Sequence, residues 1–136
     1  MMNRSLCFTL INALLLAVFL TSCSPKINKA EDVIDTHGKV SNLEKLDQFM
    51  EQSIAIVRIV RYTVEGDPIF YALSHADDRI ALRYDPSQDK YGSSEIVNYV
   101  CDRLEKKDDK AMVEYVLTGC DGRNHEFQVL QVDEKQ

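Results

Sequence analysis

Residues 54–63 read Ile54-Ala55-Ile56-Val57-Arg58-Ile59-Val60-Arg61-Tyr62-Thr63. This segment is β-branched and apolar, which predicts a β-strand, and its nearly continuous apolar character is typical of a central one. Arg58 and Arg61 have opposite parity, and the side chains of a strand alternate between the two faces of the sheet. Unless a bulge intervenes, the two arginines are therefore expected on opposite faces, one of them towards the more covered side.

Two more strands are predicted directly after this one. Gly66 and Pro68 interrupt the pattern, and residues 69–75 then form an apolar run. Asp77 and Asp78 predict the next turn. Residues 79–84 follow with alternating apolar and polar side chains, so the three strands form a meander.

Two helices are predicted beside the strands. Ser41 and Glu44 have the spacing of a capping box, and apolar residues then recur at helical spacing to about residue 52. Ser93 or Ser94 is expected to cap a second helix. Its apolar face would consist of Ile96, Val97, Val100, Cys101 and Leu104. The charge run 103–110 would then be the solvated end of that helix and a turn.

Two closing strands complete the pattern, at residues 111–118 and 126–132, joined by a connection rich in Gly and Asp. The order of elements is α-β-β-β-α-β-β. This order predicts an α+β fold, an antiparallel sheet of about five strands with two helices on one face.

The N-terminal residues 1–22 predict a lipoprotein signal peptide. The apolar run 6–20 is shorter than the roughly 20 residues that a spanning helix needs, and Leu20-Thr21-Ser22-Cys23 places two small residues before a cysteine. Cleavage before Cys23 would let that residue carry a lipid, although a retained, uncleaved anchor is the alternative. Either arrangement places the protein on the extracytoplasmic face of a cell membrane.

The chain after this signal is expected to hold one domain. Residues 23–36 would form a lipid-anchored tether and residues 37–136 a single α+β domain. A flexible tether of about ten residues would hold the domain roughly 15–20 Å from the lipid. The mature chain has 15 basic and 22 acidic residues, a net charge of 15 minus 22, or −7. This acidity argues against nucleic acid as a partner.

Cys101 and Cys120 are the even pair that is left after Cys7 and Cys23 are assigned to the N-terminal segment. In an extracytoplasmic compartment such a pair predicts a disulfide, worth about 3 kcal/mol by chain entropy. Two unpaired buried cysteines are the alternative. A Cys-x-x-Cys motif is absent from the sequence, which argues against a zinc or redox site.

Four arginines are candidates for a binding face: Arg58, Arg61, Arg79 and Arg83. Arginine recognises carboxylate and phosphate groups bidentately, so an anionic wall polymer, a peptide or a protein is the expected partner. The alternative is that these arginines pair with the abundant acidic residues of the chain, in surface ion pairs of little energetic consequence.

A small enzyme is the second hypothesis, using His37 with Asp35 or His75 with Asp77. No Gly-x-Ser-x-Gly elbow or phosphate-binding glycine loop supports it, so no catalytic residue is assigned and no cofactor is expected. Asp85 and Asp89 lie four residues apart, but the fuller calcium-ligand series is missing, and an ordinary turn is expected there. No metal site is predicted.

Several short segments also carry a family resemblance. They are Asp35-Thr36-His37-Gly38 running into Asn42-Leu43 and Leu46-Phe49, residues 58–69, and Tyr84-Asp85 with Asp89-Lys90-Tyr91-Gly92. Over roughly residues 32–120 the chain resembles a family of small uncharacterised lipoproteins from endospore-forming Gram-positive bacteria, whose domain is one of unknown function. The most specific segment is Glu65-Gly66-Asp67-Pro68. The resemblance implies attachment to the outer leaflet of a plasma membrane that faces the cell wall. It implies no activity, substrate or catalytic residue.

Overall fold

The computed structural model describes residues 24–122 and 126–133. These residues form nine strands and one helix: β1 (Val33–Thr36), β2 (Lys39–Ser41), α1 (Glu44–Met50), β3 (Ile56–Tyr62), β4 (Pro68–Ala76), β5 (Arg79–Asp85), β6 (Val97–Cys101), β7 (Arg103–Asp109), β8 (Met112–Thr118) and β9 (Phe127–Asp133). Their strands form a six-stranded sheet in the order β2-β1-β3-β4-β5-β6 and a three-stranded sheet in the order β7-β8-β9. In this described part, no helix has the length and apolar character needed to cross a membrane.

The six-stranded sheet has an inner and an outer face. All its neighbouring strands are antiparallel except β1 and β3, which run parallel. Side chains of the inner face, such as Ile59, Leu73 and Leu82, are 0 to 1% exposed. They share one core with apolar side chains of α1 and of the three-stranded sheet, which together cover the inner face. The outer face carries the side chains of opposite parity.

The predicted α+β class, with about five antiparallel strands and two helices on one face, is wrong. The fold is mainly β, with nine described strands in two sheets and a single short helix. The five predicted strand segments do lie in β3, β4, β5, β8 and β9. The error comes from the predicted second helix, whose residues form β6 and β7, and from β1 and β2, which the sequence pattern did not reveal.

A corner at Asp102 explains the error over the second helix. Val97, Tyr99 and Cys101 alternate as expected of a strand, and Tyr99 and Cys101 pack against the core. β6 ends at Cys101, Asp102 follows it, and Leu104 is the next buried residue. Strands that pass from one sheet to another bend in this way. The bend changes which alternate positions are buried before and after Asp102. The apolar residues of the two strands, read together, therefore have the spacing of a helix. The charge run that follows is β7, an edge strand, where charged side chains discourage pairing with other chains.

Helix α1 is shorter than predicted and has a different N-terminus. It begins at Glu44 after Leu43, with no side-chain cap, because Ser41 belongs to β2 and the capping box does not form. Asn42 has φ of 58° and donates from Nδ2 to the carbonyl oxygen of Asp32 at 2.7 Å. The chain therefore enters α1 through a turn at Asn42, whose side chain is bound to the backbone before β1.

Strand β1 includes the last residues of the segment that was predicted as a tether. Val33 to Asp35 pair in register with Ile59 to Arg61 of β3. β1 and β2 are joined by His37 and Gly38, with φ of 53° and 90°. Two consecutive positive φ values define the tight turn that matches the twist of a hairpin. The first strand is thus placed beside the central one, which positions Asp35 for the site described below.

The disulfide pair lies at the corner. The sulfur atoms of Cys101 and Cys120 are 2.06 Å apart, at disulfide distance, and both residues are buried. Cys101 ends β6 and Cys120 lies just beyond β8, so the bridge joins the six-stranded sheet to the three-stranded sheet. It does not join a helix to a sheet, as expected from the sequence, because the predicted helix is not present.

Candidate functional site

A cleft of about 310 Å³ opens between the two sheets. We call it the junction cleft. The six-stranded sheet contributes Asp35, His37, Gly38, Arg61 and Tyr62, and the three-stranded sheet contributes Met112, Gln131, Val132 and Asp133. The cleft combines a guanidinium, two carboxylates, an imidazole and an amide, so it suits a ligand that bears both acidic and hydrogen-bonding groups.

Arg61 and Asp35 form the fixed base of the junction cleft. They are direct partners in the parallel register of β1 and β3, and Nε of Arg61 lies 3.3 Å from Oδ2 of Asp35. Oδ1 of Asp35 accepts the N–H of Gly38 at 2.8 Å. The side chain of Asp35 is 9% exposed, whereas that of Arg61 is 28% exposed. The carboxylate is therefore occupied by the protein, and the guanidinium still reaches the solvent.

An aromatic ring supports the Arg61 side chain from the protein side. The guanidinium carbon lies 5.8 Å from the centre of the Tyr71 ring, at cation–π distance. Burial raises the pKa of the Tyr71 hydroxyl, so this ring stays neutral at physiological pH. The ring and Asp35 together restrict the orientation of Arg61, and a preorganised guanidinium loses less entropy on binding an anion.

The four candidate arginines do not form one face. Arg61 lies on the inner side, in the junction cleft, while Arg58 has outward parity in the same strand, so the two lie on opposite faces. Arg79 lies at the corner between the sheets, and Arg83 lies on the outer face. Each of the four is within 4 Å of a carboxylate.

Arg58 holds the N-terminal segment in place. Its Nε and Nη2 donate to the two carboxylate oxygens of Asp32 at 2.8 and 2.7 Å, a bidentate pair. The side chain of Asp32 is 5% exposed. Arg58 also lies 5.4 Å from the ring centre of Phe70. These contacts engage the guanidinium within the protein, so Arg58 has a structural role.

Arg79 binds the chain on both sides of the disulfide. Its Nη2 donates to the carbonyl oxygens of Val100 and Gly119, which precede Cys101 and Cys120. Its guanidinium also forms ion pairs with Asp102 and Asp121, the residues that follow the two cysteines. The hydrogen bond from Arg79 lowers the pKa of Asp121. This arginine therefore stabilises the corner by four contacts and has a structural role.

Arg83 has the largest exposed fraction of the four. Its side chain is 51% exposed, and its Nη2 lies 3.4 Å from Oδ2 of Asp85. It borders a shallow groove of about 440 Å³ on the outer face, whose floor includes Ala72, Ser74 and Ala81. Small side chains at the centre of a sheet leave space for another surface to approach.

The second predicted His and carboxylate pair lies elsewhere. His75 stacks on Phe49 with ring centres 4.1 Å apart, and its Nε2 is 3.0 Å from the Phe49 carbonyl oxygen. His75 and Asp77 both border a cavity of about 220 Å³ near the corner. Because the ring is held against α1, His75 anchors that helix to the sheet.

The two aspartates at calcium-like spacing bind backbone groups. Asp85 accepts the N–H of Ser87 at 3.0 Å, and Asp89 accepts those of Tyr91 and Gly92 at 3.0 Å. Across residues 24–122 and 126–133, no three His, Cys, Asp or Glu side chains are grouped so that they could hold a metal ion. Cys23 and His125 lie outside the described residues.

Six of the nine residues that line the junction cleft were not predicted from the sequence: Gly38, Tyr62, Met112, Gln131, Val132 and Asp133. Tyr62 ends the central strand, but Gln131 and Asp133 come from β9, far along the chain. No local signal marks them, because they join the site only when the three-stranded sheet packs across the inner face.

The segment Glu65-Gly66-Asp67-Pro68 contains the end of the turn after β3 and Pro68, the first residue of β4. Asp67 is 7% exposed, and its carboxylate accepts the N–H of Lys90 at 3.1 Å. That backbone hydrogen bond lowers the pKa of Asp67. Gly66 has φ of 90°, which only glycine adopts without strain. The segment fastens the loop after β5 to this turn, so its sequence serves the fold.

Comparisons with known proteins identify the domain. No curated protein and no solved structure gave a match. A protein family matches residues 30–116, which include α1, β1 to β7 and most of β8. The chain therefore belongs to the family described as the domain of unknown function DUF4362.

Proposed function

We propose that the protein is a lipoprotein, anchored through Cys23 to the extracytoplasmic face of a cell membrane, and that it acts as a non-enzymatic binding module. Its ligand would enter the junction cleft and bind Arg61 through a carboxylate or phosphate group. A wall polymer or peptide of an endospore-forming Gram-positive bacterium fits this description. The presence of a partly exposed, oriented guanidinium in an open cleft is the observation that carries the proposal.

The lipid anchor is supported by the order of features in the N-terminal sequence. A short apolar run, two small residues and Cys23 follow one another as lipid transfer requires. The pair at disulfide distance, Cys101 and Cys120, suits an oxidising compartment outside the cytoplasm. These two observations are independent, because one concerns the N-terminus and the other the core.

The binding role is supported by the contacts of Asp35, a carboxylate that lines the cleft. Asp35 is occupied by Arg61 and by the N–H of Gly38. Asp35 is therefore well placed to orient the guanidinium of Arg61. Supporting hydrogen bonds of this kind hold a binding residue in its productive geometry. Asp133 and Gln131 at the rim could then bind amine or hydroxyl groups of the same ligand.

A binding titration tests the proposal. The probes are a short synthetic peptide with two free carboxylates, its amidated form and an oligomer of glycerol phosphate, observed by NMR shift changes in the purified protein. Arg61→Gln should weaken binding of the acidic probe about tenfold or more, since it removes a charge-assisted hydrogen bond. Asp133→Ala tests whether the rim of the cleft contributes to binding, and it leaves the pair of Asp35 and Arg61 intact. Arg83→Gln is the matched control and should bind normally; equal weakening in both arginine variants would contradict the proposal.

A small hydrolase or transferase is the second candidate, because the cleft brings His37 near Asp35 and Asp133. His37 is exposed in a hairpin turn, and no serine, threonine or cysteine lines the described cleft. A hydrolase here would therefore need His37 to activate a water molecule. Turnover of the acidic peptide that is abolished by His37→Gln, with binding retained, would favour this candidate over the binding module.

A further inference from the structure

The segment 25–32 is fastened to the outer face of the six-stranded sheet. Nη2 of Arg58 donates to the carbonyl oxygen of Lys26 at 2.6 Å. Nε2 of Gln88 donates to the carbonyl oxygen of Pro25 at 2.9 Å. Because these two hydrogen bonds fix the backbone of residues 25 and 26, the segment is part of the folded domain. The segment therefore differs from the flexible tether that its composition suggested.

The course of this segment is shown by what lies under Arg58. Val60 and Phe70 have outward parity, yet they are 0% and 2% exposed. The guanidinium of Arg58 covers the ring of Phe70 and also holds Lys26. The segment therefore crosses the outer face at β3 and β4. On either side of it the outer face has a groove, one of about 440 Å³ near Ser74 and one of about 450 Å³ near Ile34.

This attachment limits the distance between the domain and residue 23. Pro25 is the first residue with a described contact to the domain, and two extended residues span at most about 7 Å. A free tether of ten residues would allow roughly 15–20 Å. A lipid on Cys23 would therefore hold the domain against the bilayer, with the face that bears the segment towards it.

The outer face has the charge and polarity that such a position needs. Of the outward positions in strands β1 to β6, only Asp85 carries a carboxylate, and it is buried. Near this face, Glu31 of the segment is exposed and pairs with Lys45, and Asp89 and Glu95 lie in the connection after β5. Many of the 22 acidic residues of the chain lie elsewhere, in α1 and the three-stranded sheet. Ile56 on this face is 65% exposed. Tyr91 and Ile96, in the connection that contains Gln88, are 78% and 39% exposed.

We infer that the outer face of the six-stranded sheet is a membrane-contact surface, which lies on the bilayer that holds Cys23. This inference rests on the proposed lipid anchor. Arg83 meets anionic phospholipid headgroups, while Ile56 and Tyr91 reach the interfacial region, where apolar and aromatic side chains are favoured. Arg61 lies on the opposite side of the sheet, so the junction cleft stays accessible from the wall space.

Site-directed spin labelling tests the orientation. The full lipidated protein is reconstituted in vesicles of phosphatidylcholine and phosphatidylglycerol, with a label at Ser74→Cys on the outer face or at Asp108→Cys on β7. The label at residue 74 should collide several-fold less with a water-soluble nickel chelate than the label at residue 108, and more with oxygen dissolved in the lipid. Insertion of Gly-Ser-Gly-Ser between Ser24 and Pro25 keeps all contacts of the segment and should abolish most of this difference.

The outcomes distinguish a wrong orientation from the absence of the lipid anchor. Equal accessibility of both labels, in protein that is acylated at Cys23 and floats with the vesicles, overturns the orientation and leaves the anchor in place. Protein without acylation that does not float overturns both. Shielding of residue 74 in native membranes but not in pure lipid vesicles shows that a protein partner covers the face, which also overturns the inference.

Discussion

The two sheets of this protein are stabilised in different ways. In the six-stranded sheet, β3 pairs with a strand on each side and buries Ile59 on one face and Val60 on the other. In the three-stranded sheet, β7 is a charged edge strand in which Leu104 is the one buried residue. The connection at the corner adds a disulfide and the contacts of Arg79. A central strand covered on both faces thus stabilises the first sheet. The second sheet buries side chains of its other two strands, such as Leu117 and Leu130, and is joined to the first at the corner by covalent and polar links.

This difference predicts that the two sheets respond unequally to perturbation. Loss of core packing in the six-stranded sheet should destabilise the whole domain, because both sheets share that core. Removal of the disulfide or of the Arg79 contacts at the corner should first destabilise the three-stranded sheet. Local unfolding of this kind is measurable by hydrogen exchange of the backbone amides.

The largest effect is expected for Leu73→Ala. Leu73 is fully buried at the centre of β4, and removing it leaves a cavity that should lower the free energy of unfolding by about 3 kcal/mol or more. Urea denaturation measures the loss. Hydrogen exchange should become faster in both sheets, and protection that is unchanged in β7 to β9 would contradict the shared core.

Removal of the disulfide by Cys101→Ala with Cys120→Ala should cost about 3 kcal/mol by chain entropy. Amides of β7 and β8 should lose more protection than those of β3 and β4, since the bridge joins the two sheets. Reduction of the unmutated protein by a thiol reagent provides a control that keeps both side chains. A uniform loss of protection would argue against the difference between the sheets.

Gly119→Ala probes the corner without altering the disulfide. Gly119 has φ of 63°, and a Cβ there would lie 2.0 Å from Oδ2 of Asp102, which pairs with Arg79. We expect a loss of about 2 kcal/mol from backbone strain and the displaced carboxylate. Gly122→Ala is the matched control, because Gly122 has φ of 72° and nothing within 4 Å of the added Cβ. Equal thermal stability of the two variants would show that the Asp102 contact has no effect.

The smallest effect concerns pH. Hydrogen bonds lower the pKa of Asp121 at the corner and of Asp67 at the β3–β4 turn from the ordinary value of 3.8. A lowered pKa in the folded state adds stability above the unfolded pKa, and this stability is lost as pH falls through the folded value. Below pH 4, Asp121→Asn and Asp67→Asn should each lose less stability with falling pH than the unmutated protein. Thermal unfolding from pH 5 to pH 2 measures this slope; unaltered slopes in both variants would contradict the assigned hydrogen bonds.

Local pattern was sufficient to identify five strands, and it failed where the chain changes direction. Residues 54–63 and 79–84 were recognisable because their apolar and β-branched side chains follow the period of a strand. Residues 93–104 were assigned to a helix because the corner at Asp102 shifts the alternation. The short strands β1 and β2 depend on pairing with β3, so their sequence contains too little information to reveal them.

The candidate site shows the same division. Asp35, His37 and Arg61 were recognisable by residue type, but their convergence was not, since it arises from the parallel register of β1 and β3. Gln131 and Asp133 join them from β9. A parity argument placed Arg58 and Arg61 on opposite faces, and it could not place Arg79 and Arg83 relative to them across different strands.

The sequence by itself determined the strand-forming segments and the acidic character of the chain, because these depend on composition and short-range periodicity. It predicted the pairing of the two core cysteines but left two unpaired cysteines as the alternative. Only the tertiary structure decided that the chain forms two sheets, that residues 25–32 bind the outer face and that a cleft forms between the sheets. These features depend on contacts between residues far apart in sequence. Such contacts are set by strand register and by the packing of whole sheets, and local periodicity does not specify either.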